Sequence, residues 1–315
     1  MSGGLSRATV TAVALTCKAF LNLGYCASVT VNGLPILLDA MNSDERNKGR
    51  GIVTVANHLS TLDDPLVWGL LPWRSYLKER TTRWALGASD IMFTNPFFST
   101  FFRHGQVLET FRGNGIYQEA VDVAIEKLNQ GGWVHLFGEG KVMQPDEYPE
   151  VDGIVRLKRF KWGIGRILME TNKPPLIIPM WLTGFDKLMP EGRPTPSKFI
   201  PRPNVHLSVT FGQPVPAEEL TAAPSTLGPT NPTPDNSSDK PRIVHGSHRV
   251  PHGDGWMGQA VLRSSVGLRG EIDEKILERS EELARVRSEV TAIIQRDVES
   301  LGRSVSGDKL GKGGS

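Results

Sequence analysis

The chain has 315 residues, 39% of them hydrophobic and 22% charged, with a net charge of +2 at pH 7. That balance excludes a globally disordered chain and is enough for a sizeable core. It makes no case for nucleic-acid binding, since no basic-aromatic module appears, while a sequence pI near 8.5 suits an anionic membrane surface.

Residues 5 to 27 read as a helix. The stretch from Ala8 to Val31 is apolar but is broken by Lys18, Asn22 and Gly24, so it falls short of a membrane-spanning helix. An interfacial anchor is the favoured reading, ahead of a mitochondrial presequence or a plain core helix. Cys17 and Cys26 would point to opposite sides of one helix and cannot bridge. No Cys/His cluster suggests a metal.

Ser28 to Val31 reads as a short strand, and residues 34 to 46 as a second helix. Ile52-Val53-Thr54-Val55-Ala56 is an apolar, β-branched run of the kind a buried strand needs. It stops at Asn57-His58. Asp63, Asp64 and Pro65 then look like a helix start, with Asp64 as the cap. His58 would sit at the carboxyl end of a strand, with Asp63 close enough to fix its tautomer.

Residues 91 to 102 crowd five phenylalanines into twelve positions. They cannot all face one core, so part of this patch should be exposed and able to touch acyl chains. Residues 105 to 137 read as a β-α-β unit, implying parallel strands and a right-handed crossover. Residues 154 to 170 read as a basic helix, either solvated or set against anionic headgroups. Leu176 to Leu182 and Val205 to Phe211 read as strands, and residues 271 to 300 as an amphipathic helix.

Three turns therefore leave the carboxyl ends of parallel strands. They carry His58 with Asp63, Arg112-Gly113, and Glu139-Gly140-Lys141. In a parallel sheet those ends share one edge. A base held by a carboxylate, an Arg suited to phosphate and a Gly-flanked acid suggest group transfer to a hydroxyl on a phosphate-bearing molecule. The chain has no GxSxG and no GxxxxGK[ST], so a serine-hydrolase elbow and a nucleotide loop are both missing.

Asn57-His58 with Asp63 resembles the first motif of the glycerolipid acyltransferases, Asn-His-x4-Asp. Arg112-Gly113 resembles their second, phosphate-binding motif. Phe137-Gly138-Glu139-Gly140 resembles their third, which usually has Pro where Gly138 stands, and Ile178-Pro179 their fourth. Asp63-Asp64-Pro65 with Leu66-Val67-Trp68-Gly69, residues 88 to 94 and residues 159 to 166 are similar to the tafazzin family within that group. The likeness spans about residues 28 to 220 and the final helix.

The resemblance implies a mixed α/β fold of the glycerol-3-phosphate acyltransferase type. A largely parallel sheet would be flanked by helices, in one domain with an N-terminal membrane-associating helix over residues 1 to 27. The acyltransferase domain would occupy 28 to 220, with its motif core at 51 to 185. A disordered Pro/Ser-rich insertion would follow at 221 to 258, a C-terminal helical part at 259 to 302 and a flexible tail at 303 to 315. The implied activity is a CoA-independent transacylase working between phospholipids and lysophospholipids. It would remodel cardiolipin from monolysocardiolipin, with no metal or soluble cofactor. The implied location is monotopic, on the outer and inner mitochondrial membranes, facing the intermembrane space. His58 would be the base, Asp63 its partner, Arg112 and Lys141 phosphate ligands, and Glu139 part of the acceptor site. The alternatives are an acyl-CoA-dependent lysophosphatidic acid acyltransferase and a non-catalytic membrane scaffold. Only Gly138, which loosens the turn carrying Glu139, favours the scaffold.

Overall fold

The computed structural model describes residues 3–161, 163–222, 255–257 and 272–313. Its centre is a seven-stranded sheet in the order β1-β9-β8-β2-β5-β3-β4. The strands are β1 (Ser28–Asn32), β2 (Ile52–Ala56), β3 (Trp84–Ala88), β4 (Val107–Thr110), β5 (Trp133–Phe137), β8 (Leu176–Thr183) and β9 (His206–Phe211). Five neighbours, β8, β2, β5, β3 and β4, run parallel. β9 is antiparallel to β8, and β1 is parallel to β9. The mixed, largely parallel sheet flanked by helices is the architecture expected.

β2 lies inside the sheet and every one of its five residues is buried, which is why its sequence is continuously apolar rather than alternating. The helices are α1 (Gly3–Asn22), α2 (Leu34–Asn42), α3 (Asp63–Trp68), α4 (Ser89–Met92), α5 (Pro96–His104) and α6 (Glu119–Asn129). They continue with α7 (Gly163–Met169), α8 (Phe185–Leu188), α9 (Ala217–Ala222) and α10 (Ile272–Ser306). α10 packs on β8 and α7, and α1 on α3 and α5.

Several expectations change. β3 was not foreseen, and it lies between β4 and β5, so the β4-α6-β5 crossover joins parallel strands that are not neighbours. Residues 154 to 170 are not one helix. A two-stranded hairpin of β6 (Glu150–Val151) and β7 (Ile154–Val155) leads into an extended stretch before α7. That stretch is laced to α10: Leu157 N–H donates to Glu299 Oε1 and Phe160 N–H to Gln295 Oε1. Of its basic residues only Arg166 is buried, paired with Asp122 and Glu170, while Arg156, which pairs with Glu299, and Lys158, Arg159 and Lys161 are exposed. Helix formation continues past Arg303 to Ser306, and Leu310 is buried, so the tail is not frayed from 303. Lys18 turns inward, its Nζ donating to Gly69 O and Leu71 O rather than facing headgroups. Most of 221 to 258 lies outside the described residues.

Both cysteines are free and buried. Among the described residues no helix is long and apolar enough to cross a membrane.

Candidate active site

The turn between β2 and α3 folds around Asp63. Its carboxylate is fully buried. It accepts from His58 Nδ1 at 3.0 Å, Ser60 N at 2.9 Å and Ser60 Oγ at 2.7 Å, and from the Leu59 backbone. A carboxylate can only accept here, so Nδ1 carries the proton and Nε2 presents its lone pair. The His58 side chain keeps 19% of its surface exposed, so a substrate proton can reach it. Phe137, the last residue of β5, stacks under the imidazole at 4.0 Å between ring centres and 16° between planes.

Asp64 is not the helix cap. Both its oxygens face Arg83, and Trp68 Nε1 donates to Oδ1 at 3.0 Å. Burial opposes its charge, but the Arg83 guanidinium outweighs burial and holds the carboxyl below its usual range. Trp68 meets His135 edge-on at 4.8 Å, and His135 meets Phe137 at 4.5 Å. His135 is buried, bonds Thr54 Oγ1 through Nδ1 at 2.8 Å, and is pushed down to about 3 by that burial. It is a neutral core residue that supports the ring beneath His58.

Glu139 lies beside His58 but not in an open acceptor pocket. Its exposure is 0%, and Oε2 accepts the His58 backbone N–H at 3.0 Å. Burial pushes its carboxyl up to about 8, against the opposing pull of that N–H. In the geometry it holds the turn that carries His58.

The Gly138 turn is not loose. A Cβ on Gly138 would stand 2.4 Å from the Phe160 ring, so glycine makes room for that buried side chain. Gly138 N–H also donates to Ala56 O at 3.3 Å, and its carbonyl accepts from Lys161 N at 2.9 Å.

Arg112 leaves the same edge of the sheet three strands from β2, about 14 Å away at the usual strand spacing. It is exposed and pairs with Asp90 Oδ2 at 3.3 Å, itself exposed. Such a pair contributes little and yields readily to a phosphate. Gly113 adopts φ +83° with open space around it, in the left-handed region where glycine is at ease. Gly140, at φ +69°, turns the chain after Glu139. Lys141 is exposed at the rim and makes no ion pair among the described residues. So the structure gathers His58, Asp63 and Glu139, and leaves Arg112 and Lys141 on the surrounding rim.

Sequence reasoning missed Ser60, Arg83, His135 and the stacking role of Phe137. Ser60 was legible, three residues before Asp63 at the reach of a local side-chain bond. The others depend on contacts between distant segments.

An imidazole so held can take a proton from a hydroxyl as the oxygen attacks an acyl carbonyl. That chemistry is acyl transfer. The family model described as Acyltransferase matches residues 38–183. An N-acylphosphatidylethanolamine synthase of Arabidopsis thaliana is 39% identical over 215 residues, 68% of this chain and 72% of that protein. A Dictyostelium discoideum protein named Taffazin is 37% identical over 212 residues, 66% of this chain and 68% of that one. The structure of PlsC, the 1-acyl-sn-glycerophosphate (LPA) acyltransferase of Thermotoga maritima, aligns with a TM-score of 0.48 at 19% identity, over 93% of this chain and 79% of that one. The chain belongs to the acyltransferase family that includes the tafazzins, and it is a lipid acyltransferase.

Proposed function

We propose that the protein is a CoA-independent transacylase that moves acyl chains between phospholipids and lysophospholipids. The observation that carries this reading is the His58–Asp63 pair at an exposed sheet edge, in a chain 37% identical to a Taffazin. His58 Nε2 takes the proton of a lysophospholipid hydroxyl, and the freed oxygen attacks the ester carbonyl of a donor phospholipid. Asp63 stabilises the imidazolium while the tetrahedral intermediate exists. As the intermediate collapses, the ester oxygen of the departing lysophospholipid takes the proton back from Nε2. One ester forms, one breaks, and the base is regenerated. Arg112, with Gly113 shaping its turn, holds substrate phosphate, and Lys141 adds charge at the rim. Glu139 and Gly140 keep the turn in place. Cardiolipin and monolysocardiolipin are the proposed lipid pair, on mitochondrial membranes facing the intermembrane space, with monotopic attachment.

His58→Ala tests the chemistry. Transfer should vanish while the circular dichroism spectrum and melting temperature stay near wild type. Near-normal transfer by that variant would end the proposal.

The Arabidopsis relative favours a second reading, in which the acceptor is the amine of an ethanolamine headgroup. The same base would serve an amine. An amide product survives mild alkali and an ester does not, so alkaline treatment of labelled product separates the two.

A further inference from the structure

The edge of the sheet that carries His58 is also where many of the large exposed apolar side chains collect. Phe97 and Phe98, near the start of α5, and Ile91 on α4 are exposed beyond β3, and Phe111 is exposed just past β4. Exposure within residues 91 to 102, though not that of Phe111, was anticipated from the phenylalanine-rich sequence. On the other side of His58 stands a group that was not. The turn from 187 to 202, which follows β8 and α8, exposes Phe199 (69%) and Ile200 (57%). Leu23, at the end of α1, is exposed near the same edge, because β1 begins there alongside His206.

This turn is firmly built. Arg193 braces it from within, donating to Pro190 O and Ile200 O. Tyr25 OH donates to Pro201 O, and Arg202 N–H to Leu188 O. Gln144 ties it to the catalytic turn. Its Nε2 donates to Leu59 O at 3.2 Å and Met189 O at 3.1 Å, while its Oε1 accepts from Glu191 N. The charge is one-sided: residues 187 to 202 carry Lys187, Arg193, Lys198 and Arg202 against the single acid Glu191. Lys198 Nζ lies 4.8 Å over the Phe199 ring, so cation and apolar surface are presented together. The opposite edge of the sheet exposes polar residues such as Lys48, Gln130, Asn172 and Lys173.

We propose that the 187–202 turn is a docking lobe for a bilayer carrying anionic headgroups. Phe199 and Ile200 enter the acyl boundary, and Lys198 and Arg202 meet the headgroups. With the Phe97 and Phe98 group across the sheet, it forms a footprint that straddles His58. The Gln144 bonds then fix the height of the imidazole relative to the lipid esters. The proposal deepens the lipid reading of this site and rests on it.

The test uses the full chain with a fluorescent NBD label at Ile200→Cys, and a control label at Asn172→Cys on the opposite edge. The native thiols are buried. With vesicles of phosphatidylcholine and phosphatidylglycerol, the label at 200 should shift to the blue and be quenched by brominated lipid, and the label at 172 should do neither. Separately, Phe199→Ser with Ile200→Ser should weaken vesicle binding at least tenfold and leave transfer in mixed detergent micelles within twofold of wild type. An unshifted label at 200 on vesicle-bound protein overturns the proposal, as does unaltered binding by the double variant. A shift that appears without vesicles and grows with protein concentration assigns the surface to a second copy instead. If wild type transfers no acyl chain even in micelles, the functional reading fails, and the two labels still decide the docking.

Discussion

Glu139→Gln should stabilise the protein increasingly as the pH rises from about 4.5 to about 8. In the unfolded chain this carboxyl titrates near 4.5, and in the fold burial raises it to about 8. The folded state therefore holds a proton that the unfolded state has lost. The stabilisation from this group is complete below about pH 4.5 and is lost as the pH passes through about 8. At about 1.4 kcal/mol per unit, the loss reaches about 3 kcal/mol at pH 7 and about 4 kcal/mol at pH 8, and levels off near about 5 kcal/mol above that. Gln cannot ionise, so it escapes this loss, and its carbonyl can still accept the His58 N–H. Urea unfolding of both proteins, in half-unit steps from about pH 4.5 to 8.5, gives the difference directly. His135, pushed down to about 3, contributes an opposite slope, but it is present in both proteins and cancels. Glu139→Gln should retain transfer activity, whereas Glu139→Ala orphans the His58 N–H and should cost about 1–3 kcal/mol. Parallel stability curves for wild type and Glu139→Gln would refute the reasoning. A raised KM in Glu139→Gln at unchanged stability would return the residue to an acceptor-binding role.

Asp63→Asn cannot accept all the bonds that Asp63 takes and can present the wrong tautomer to His58. It should lower kcat by about two to four orders of magnitude, read in steady-state transfer. Gly138→Pro should destabilise by about 2–4 kcal/mol, combining a crowded Phe160 with a lost ladder bond. Thermal melts check it, and a variant as stable as wild type would show that Phe160 yields easily. Arg112→Ala should raise KM for phosphate-bearing acceptors severalfold with little change in melting temperature, since its pair with Asp90 is exposed.

The parts of the fold that show in the sequence are those whose cause is local. β2, β5 and β8 are interior strands, and their apolar runs announce it. β3 escaped because Trp84-Ala85-Leu86-Gly87-Ala88 is diluted by Gly and Ala. Gly87 is there for close packing, as a Cβ would meet Met92 Sδ and Val107 Cγ1 at 2.5 Å. The hairpin at Val151-Asp152-Gly153-Ile154 carried a readable Asp-Gly turn. The basic residues that follow it drew attention to a helix, because the partners of that stretch, Glu299 for Arg156 and Gln295 for the Phe160 backbone, lie more than a hundred positions away. In the site, the spacing of His58 and Asp63 became legible only together with the turns at Arg112 and Glu139 on the same sheet edge. Burial of Glu139 was not legible, since a Gly-flanked acid on a turn looks solvent-facing until the segment at Lys158 to Phe160 packs beside it.

The donor assay tests the central claim most directly. Purified protein is given a labelled lysophospholipid with either intact phospholipid or acyl-CoA as the only acyl source, beside His58→Ala. Transfer from intact phospholipid without CoA, absent in His58→Ala, is the result expected. Transfer that depends strictly on acyl-CoA would contradict the transacylase account and leave a CoA-dependent lysophospholipid acyltransferase in its place.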